Sequence, residues 1–308
     1  MRPVSLCPFF MVLVLLASCG KDTGIPLAAN TRAEQSAAAG YHQAGLNAEA
    51  AGQPKRALKA FRKVYEDYPL SAVAPEATFR EAQILEQQGE LLDAFEAYNV
   101  FLTKYPGSSR YASAIKRQNE IAHRVADGSI KNNFLGLKSR IDNTRTVALL
   151  EKVRDNAPRS PSASKAQFAI GQLWQRAESK DRAIAAYKEL IRNYPEARET
   201  PEAQYQVGAI LASEMKDGNP DPANIDRAKE AFDDLLLRYP SHPRAKDARA
   251  ELSRLQSGDI QRAYDRAEFY RKKGNQTSAL FYYQEVVRTA APGPLRAQAQ
   301  GWINQLSR

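Results

Sequence analysis

Cysteine is nearly absent from this 308-residue chain. Its two copies, Cys7 and Cys19, both fall within the first nineteen positions. That excludes a structural disulfide or a cysteine-rich metal site from the body of the protein. The three histidines, His42, His123 and His242, stand far apart and in no metal-binding spacing. β-Branched residues are scarce and no stretch sustains period-two alternation, so no sheet is predicted. A Ser/His/Asp or Cys/His arrangement and a Gly-rich phosphate loop are also missing. Carboxylates are plentiful, as in Glu66-Asp67 and Asp233-Asp234, but they fall on polar helix faces. Without a nucleophile, base or metal constellation the expectation is a non-enzyme with no cofactor.

Lys and Arg number 44 against 35 Asp and Glu, a formal charge of +9 that becomes +8 if a leader carrying Arg2 is removed. The two signs are interleaved along helices, which reads as a solvated surface. There is no basic cluster with interleaved aromatics, so nucleic acid is not an expected partner. Ala, Leu, Glu, Gln and Arg are common, and favour helix throughout.

Residues 1–18 read as a leader. Arg2 supplies the positive end, and Leu6 to Ala17 is apolar but shorter than the roughly 20 residues a spanning helix needs. Its end, Leu16-Ala17-Ser18-Cys19, resembles a bacterial lipobox: small residues enter a peptidase cleft, and the Cys19 thiol accepts the diacylglyceryl group. Several acyl chains on one residue provide stable anchoring. Gly20 follows; by resemblance to Gram-negative lipoproteins, the lack of aspartate there points to the outer membrane. Residues 19–31 (CGKDTGIPLAANT) then form a lipidated end and flexible tether.

From residue 32 to 308 one phrase recurs. At Gly89–Pro106 it has Ala94, then Tyr98 four residues on, then Tyr105-Pro106. Copies contain Ala57, Phe61 and Tyr68-Pro69; Ala183, Tyr187 and Tyr194-Pro195; and Ala228, Phe232 and Tyr239-Pro240. Worn copies end at Ala157-Pro158 and Ala291-Pro292. A small residue and an aromatic four apart share one helix face. Proline lacks an N–H and disfavours helix in the residue before it, so Tyr-Pro closes each helix. One such helix cannot bury its stripe, whereas stacked pairs can. Helices are predicted at 33–51, 54–67, 73–88, 91–104, 108–126, 144–156, 162–177, 180–193, 200–214, 223–238, 243–256, 259–273, 276–290 and 294–306. Asp127–Asn143 reads as an insertion or short extra helix, KDGNPDPAN (216–224) as an exposed loop, Gly258 as a break, Trp174 as core, and the last helix as a cap.

With Pro69 and Pro106 at the proline position, these units resemble the tetratricopeptide repeat, at a step of 37 residues against about 34 in that family. The resemblance implies an all-α solenoid, a right-handed superhelix of antiparallel helix pairs whose first helices line a concave peptide-binding face. Its groove positions 5, 9 and 12 fall on His42, Leu46 and Glu49, on Phe79, Gln83 and Glu86, and on Phe168, Gln172 and Gln175. These are candidate contacts for a peptide or partner. The alternative is that the polar groups are simply exposed, with Phe79 and Phe168 packed between helices.

An acylated leader, a tether and Tyr-Pro-closed repeats resemble the BamD family of outer-membrane assembly lipoproteins, in particular through ALKAFRKVYEDYPLS (57–71), AFEAYNVFLTKYPGS (94–108) and AEFYRKKGNQTSALFYYQEVV (267–287). That resemblance implies a lipid-anchored, periplasm-facing protein of the outer membrane. Its N-terminal repeats would receive unfolded outer-membrane proteins, and its C-terminal repeats would dock on the barrel-forming assembly subunit. Residues 163–213 also resemble the Tol–Pal-associated periplasmic repeat protein, so an envelope coordinator of that type stands as the alternative. The anchor can be tested directly: Cys19→Ala should leave the fold intact and move the protein from the membrane to the soluble fraction. Unchanged fractionation would contradict it.

Overall fold

The computed structural model describes residues 31–134, 137–213 and 222–308. The leader, Cys19 and most of the tether lie outside the described residues, as do positions 216–221 of the expected loop. Helices follow one another as α1 (Arg32–Ala50), α2 (Pro54–Asp67), α3 (Ala74–Gln87), α4 (Leu91–Lys104) and α5 (Tyr111–Ala126). A hairpin, β1 (Lys131–Phe134) and β2 (Leu137–Arg140), precedes α6 (Asn143–Asn156), α7 (Pro161–Arg176), α8 (Lys180–Asn193) and α9 (Thr200–Ser213). The chain ends with α10 (Pro222–Arg238), α11 (Arg244–Lys272), α12 (Gln276–Thr289) and α13 (Pro294–Leu306). Among the described residues each helix packs chiefly on its sequence neighbours, which makes an all-α repeat stack of six pairs and a last single helix.

Two recurring devices build it. In three of the pairs, a glycine of the first helix faces the ring of the second. A Cβ added at Gly45, Gly171 or Gly208 would meet Phe61, Tyr187 or Phe232 at 2.5, 2.4 and 2.7 Å. All three rings are fully buried. Between pairs, the Tyr-Pro turn repeats its hydrogen bond: the amides of Ser71, Ser108, Ala197 and His242 donate to the carbonyls of Tyr68, Tyr105, Tyr194 and Tyr239, each at 3.0 Å. The worn copy does the same, Ser160 to Ala157 at 2.9 Å. Two of these tyrosines also reach back one repeat: the hydroxyls of Tyr105 and Tyr239 donate to the carbonyls of Pro69 and Pro195 at 3.2 and 2.8 Å. Inside a pair the helices turn on a left-handed residue, such as Gly89 (φ 79°). In the fourth pair the non-glycine Glu178 (φ 57°) takes that place.

The structure corrects the sequence reading at two places. Asp127–Asn143 contains a two-stranded antiparallel hairpin, with Lys131 opposite Arg140 and Phe134 opposite Leu137, where an insertion or short helix and no sheet were expected. Its strands are too short to show an apolar alternation. The chain leaves and rejoins the stack through Ile130 and Ile141, which are 8% and 2% exposed, and Asp142 then caps α6 by accepting from the Arg145 amide at 2.8 Å. The second correction is α11. Gly258 does not break it, and one helix of 29 residues runs through. Its first part buries Ala245, Ala248 and Leu255 with α9 and α10. Its second part buries Ala263 and Ala267 with α12 and α13. A mid-helix glycine costs only about 1 kcal/mol, less than burial on both sides returns. Trp174 is half-buried and packs on both central clusters, with Arg182 4.6 Å above its ring.

The ring contact gives a sharp test. Gly171→Ala should lower stability by about 1–3 kcal/mol through overpacking, although alanine is the better helix former. Gly40→Ala, at an exposed position with open space, should instead raise it by up to about 1 kcal/mol. Thermal melts of the two variants read the difference.

Candidate functional site

What each first-helix residue can offer a partner depends on what its own repeat asks of it. Phe79 is 3% exposed and packs edge-on against Tyr98 and Phe101, with centroids 5.7 and 5.5 Å apart. It is a packing residue, and the expectation of an accessible contact there is corrected. Phe168 is half-buried against Tyr187 at 5.6 Å, and His42 half-buried against Phe61 at 5.7 Å. Burial holds the His42 imidazole below its ordinary value; Glu76 opposes the shift and Arg80 adds to it.

Position 12 is tied to the buried ring. The hydroxyl of Tyr98 donates to Glu86 at 3.0 Å and that of Tyr187 to Gln175 at 2.8 Å; in the last pair, where position 12 is Arg271, the Tyr283 hydroxyl donates instead to Glu268, three residues earlier. Burial, with the adjoining Glu86, pushes the Tyr98 phenol well up, so it stays a donor. Where the ring is Phe61 no hydroxyl needs a partner, and Glu49 turns to Arg80 at 3.3 Å instead. Where it is Phe232, the matching residue of α9 is Ala212.

A ladder of ion pairs then crosses this face. Arg80 joins Glu49 to Glu76, the latter at 3.1 Å. Arg110, which opens the next repeat, bonds Glu76 at 3.3 Å and lies 5.4 Å above Phe79. Arg117 bonds Glu86, and Glu120 at 3.0 Å. The same device recurs further on: Arg244 bonds both oxygens of Glu202 at 2.7 and 2.9 Å, pairs with Asp247 at 2.9 Å and lies 4.6 Å above Tyr205. These arginines were missed in the sequence, yet the signal stands there twice as glutamate, an aromatic three later, and arginine opening the next repeat. The ladder brings Glu49, Glu76 and the neighbourhood of His42 together. Phe168 and Gln172 lie two repeats away and share none of these contacts. Gln83 is half-buried and Gln172 exposed. Neither has a hydrogen-bond partner among the described residues, so both amides are uncommitted.

The last pair carries a different surface. Phe269 on α11 and Phe281 on α12 are 56% and 62% exposed. Between them Tyr270 and Tyr282 stack at 5.7 Å with an interplanar angle of 3°. Lys273 and Arg266 lie over Phe269 and Tyr282. Such an aromatic and cationic group is the composition of an interaction hot spot.

Burial alone would raise the Glu202 carboxyl, but hydrogen bonds from Arg244 and Gln206 outweigh it and hold it below the ordinary value. A depressed carboxyl stabilises the fold above its unfolded value, and this stabilisation is lost as pH falls from the ordinary carboxylate range through the lower folded value. Arg244→Ala should therefore cost about 1 kcal/mol or less at pH 7, since both groups are partly exposed. The difference from wild type should shrink on acidification through that range, as read by denaturant titrations at each pH.

Residues 139–295 match the family model described as outer membrane lipoprotein, YfiO, and residues 42–109 match a tetratricopeptide repeat. Outer membrane protein assembly factor BamD of Neisseria meningitidis serogroup A (strain Z2491) is 26% identical over 154 residues, 47% of this chain and 58% of that protein. BamD of Neisseria gonorrhoeae is 27% identical over 146 residues, 44% of this chain and 55% of that one. The match thus spans a little over half the length of these curated relatives. Among solved structures, a tetratricopeptide repeat protein from Parabacteroides merdae aligns over 89% of this chain and 100% of its own, with 11% identity and a TM-score of 0.32.

Proposed function

The chain belongs to the YfiO outer membrane lipoprotein family, and on that premise we propose that it is a lipid-anchored, non-catalytic binding scaffold that faces the periplasm and serves the assembly of β-barrel outer-membrane proteins. Acylated Cys19 holds it to the outer membrane, and the tether lets the repeat body stand off the lipid. The observation that carries the reading is the aromatic group of exposed Phe269 and Phe281 with half-buried Tyr270 and Tyr282. It lies within the family-matched segment and on the pair whose resemblance implies docking on the barrel-forming subunit. Large aromatics left half in water on a repeat array are costly unless a partner covers them. The first-helix face, with Gln83 and Gln172 uncommitted beside half-buried His42 and Phe168, is the surface proposed for unfolded outer-membrane segments; amides of this kind suit recognition of peptide backbone.

A photo-crosslinking residue placed at Phe269 or Phe281 in cells tests the docking. The barrel-forming subunit is the expected main adduct. A Tol–Pal component or a peptidoglycan synthase as main adduct would move the chain to the alternative class of envelope coordinator. Phe269→Ala with Phe281→Ala should weaken capture of the barrel-forming subunit about thirtyfold or more. The melting temperature should change little, because both side chains are exposed.

A further inference from the structure

In the first, second and last pairs a short turn on a left-handed glycine joins the two helices, at Gly52, Gly89 and Gly274. The third pair is joined differently. The chain turns out of α5 at Gly128 (φ 83°), runs through β1 and β2, and returns at Asp142. The base of this hairpin is fixed. The Ile130 amide donates to the Arg124 carbonyl at the end of α5 at 3.0 Å, Ile130 and Ile141 are buried, and Asp142 caps α6.

Beyond its base the hairpin is short of support. The two strands pack chiefly on each other, and among the described residues no third strand joins them. A two-stranded hairpin is marginal in water and gains independent stability from a third strand. The register weakens it further: Lys131 stands opposite Arg140, and like charges directly opposite destabilise a pair. With a period of two, Lys131, Asn133, Lys138 and Arg140 fall on one face of the hairpin, and Phe134 and Leu137 on the other. The segment 131–140 holds three cations and no acid. The acids beside it are engaged elsewhere, Asp127 by the Ser129 amide and Asp142 by that of Arg145, both at 2.8 Å. An outer strand turns the N–H and C=O groups of alternate residues away from its neighbour, where another strand can bond them.

We propose that this hairpin is a template for strand addition: an extended segment that alternates apolar and acidic residues adds to the outer edge of β2. The occupant is a strand of an unfolded β-barrel protein. The inference therefore rests on the scaffold function proposed above, and gives its cargo a surface outside the first-helix face. Main-chain bonds to the open edge supply affinity without regard to sequence. Side chains set the register. Acids continue the cationic face beside Lys138 and Arg140, and apolar residues continue the face of Phe134 and Leu137. Strands of membrane barrels alternate apolar and polar residues with this period. A second copy of the hairpin is the wrong occupant, since it would bring three further cations against the first three.

The test measures, by fluorescence anisotropy, binding of the full chain to short synthetic peptides. One alternates valine with glutamate and threonine, one is the same sequence N-methylated at successive residues, and one has lysine in place of glutamate. The first should bind and the N-methylated form should not. The lysine form should bind about tenfold more weakly or worse. Lys138→Glu with Arg140→Glu should invert the preference between the acidic and the lysine peptide without lowering the melting temperature. Replacing 131–140 by a Gly/Ser linker should abolish binding; if that variant does not fold, the charge reversal decides. Acidic-peptide binding that survives the linker, tolerates N-methylation or ignores the charge reversal would overturn the site and leave the scaffold function standing. So would self-association of the wild-type chain that disappears with the hairpin, because the edge would then belong to a second copy. A wild-type chain that binds no peptide yet takes up a full-length unfolded barrel protein overturns the hairpin alone. One that takes up neither overturns the scaffold function with it.

Discussion

A buried ring set against a helix backbone is the contact from which the rest of this array follows. Gly45, Gly171 and Gly208 carry no side chain because Phe61, Tyr187 and Phe232 occupy the space. That closeness fixes the distance between the helices of a pair, and with it the faces each pair turns to the next. The choice of ring then reaches the surface. A buried phenol must hydrogen-bond, so Tyr98 and Tyr187 take Glu86 and Gln175 as partners. A buried phenylalanine asks for nothing, which leaves Glu49 free to join the arginine ladder. One interior contact decides which first-helix side chains stay free at the surface.

Much of this was legible because the signals are local. Tyr-Pro, the Ala-to-aromatic spacing and the glycine turns are set by backbone sterics, and helices α2, α4, α8 and α13 begin and end where those rules place them. The failures have a common cause in tertiary burial. Gly258 weakens a helix locally, but Leu255 on one side and Ala263 on the other are held by different partners and carry the helix through. The hairpin at 131–140 is fixed by buried Ile130 and Ile141 at its base, a pairing with no periodic trace in the sequence. At the site, helical spacing placed Phe79 on the right face but could not say that Tyr98 and Phe101 would enclose it. The arginine ladder spans 31 to 42 residues, beyond the reach of any helix-face pattern.

The third pair shows what happens where the ring contact is given up. Asn119 stands at the position of Gly45 and Gly171, and Leu150 at that of Phe61 and Tyr187. His123 occupies position 12, with no phenol opposite to serve. Asn119 Oδ1 and His123 Nε2 are buried without hydrogen-bond partners, and burial, with Lys165 nearby, holds the His123 imidazole below its ordinary value. Each such group costs on the order of 1–3 kcal/mol. The chain also leaves the stack here, at the hairpin. One compensating bond comes from outside the pair, where Arg176 on α7 donates to the Ala126 carbonyl at the end of α5 at 2.8 Å, and one ties its two helices together, where the Tyr111 hydroxyl on α5 donates to the Asn156 carbonyl at the end of α6 at 2.8 Å. In a linear array stability is a sum over neighbours, so the weakest pair sets where the stack opens first. The first-helix ladder runs into that pair through Arg117 and Glu120 on α5, and the exposed Phe269 and Phe281 lie on the last pair. The softest link in the array therefore falls between the first two pairs and the last one.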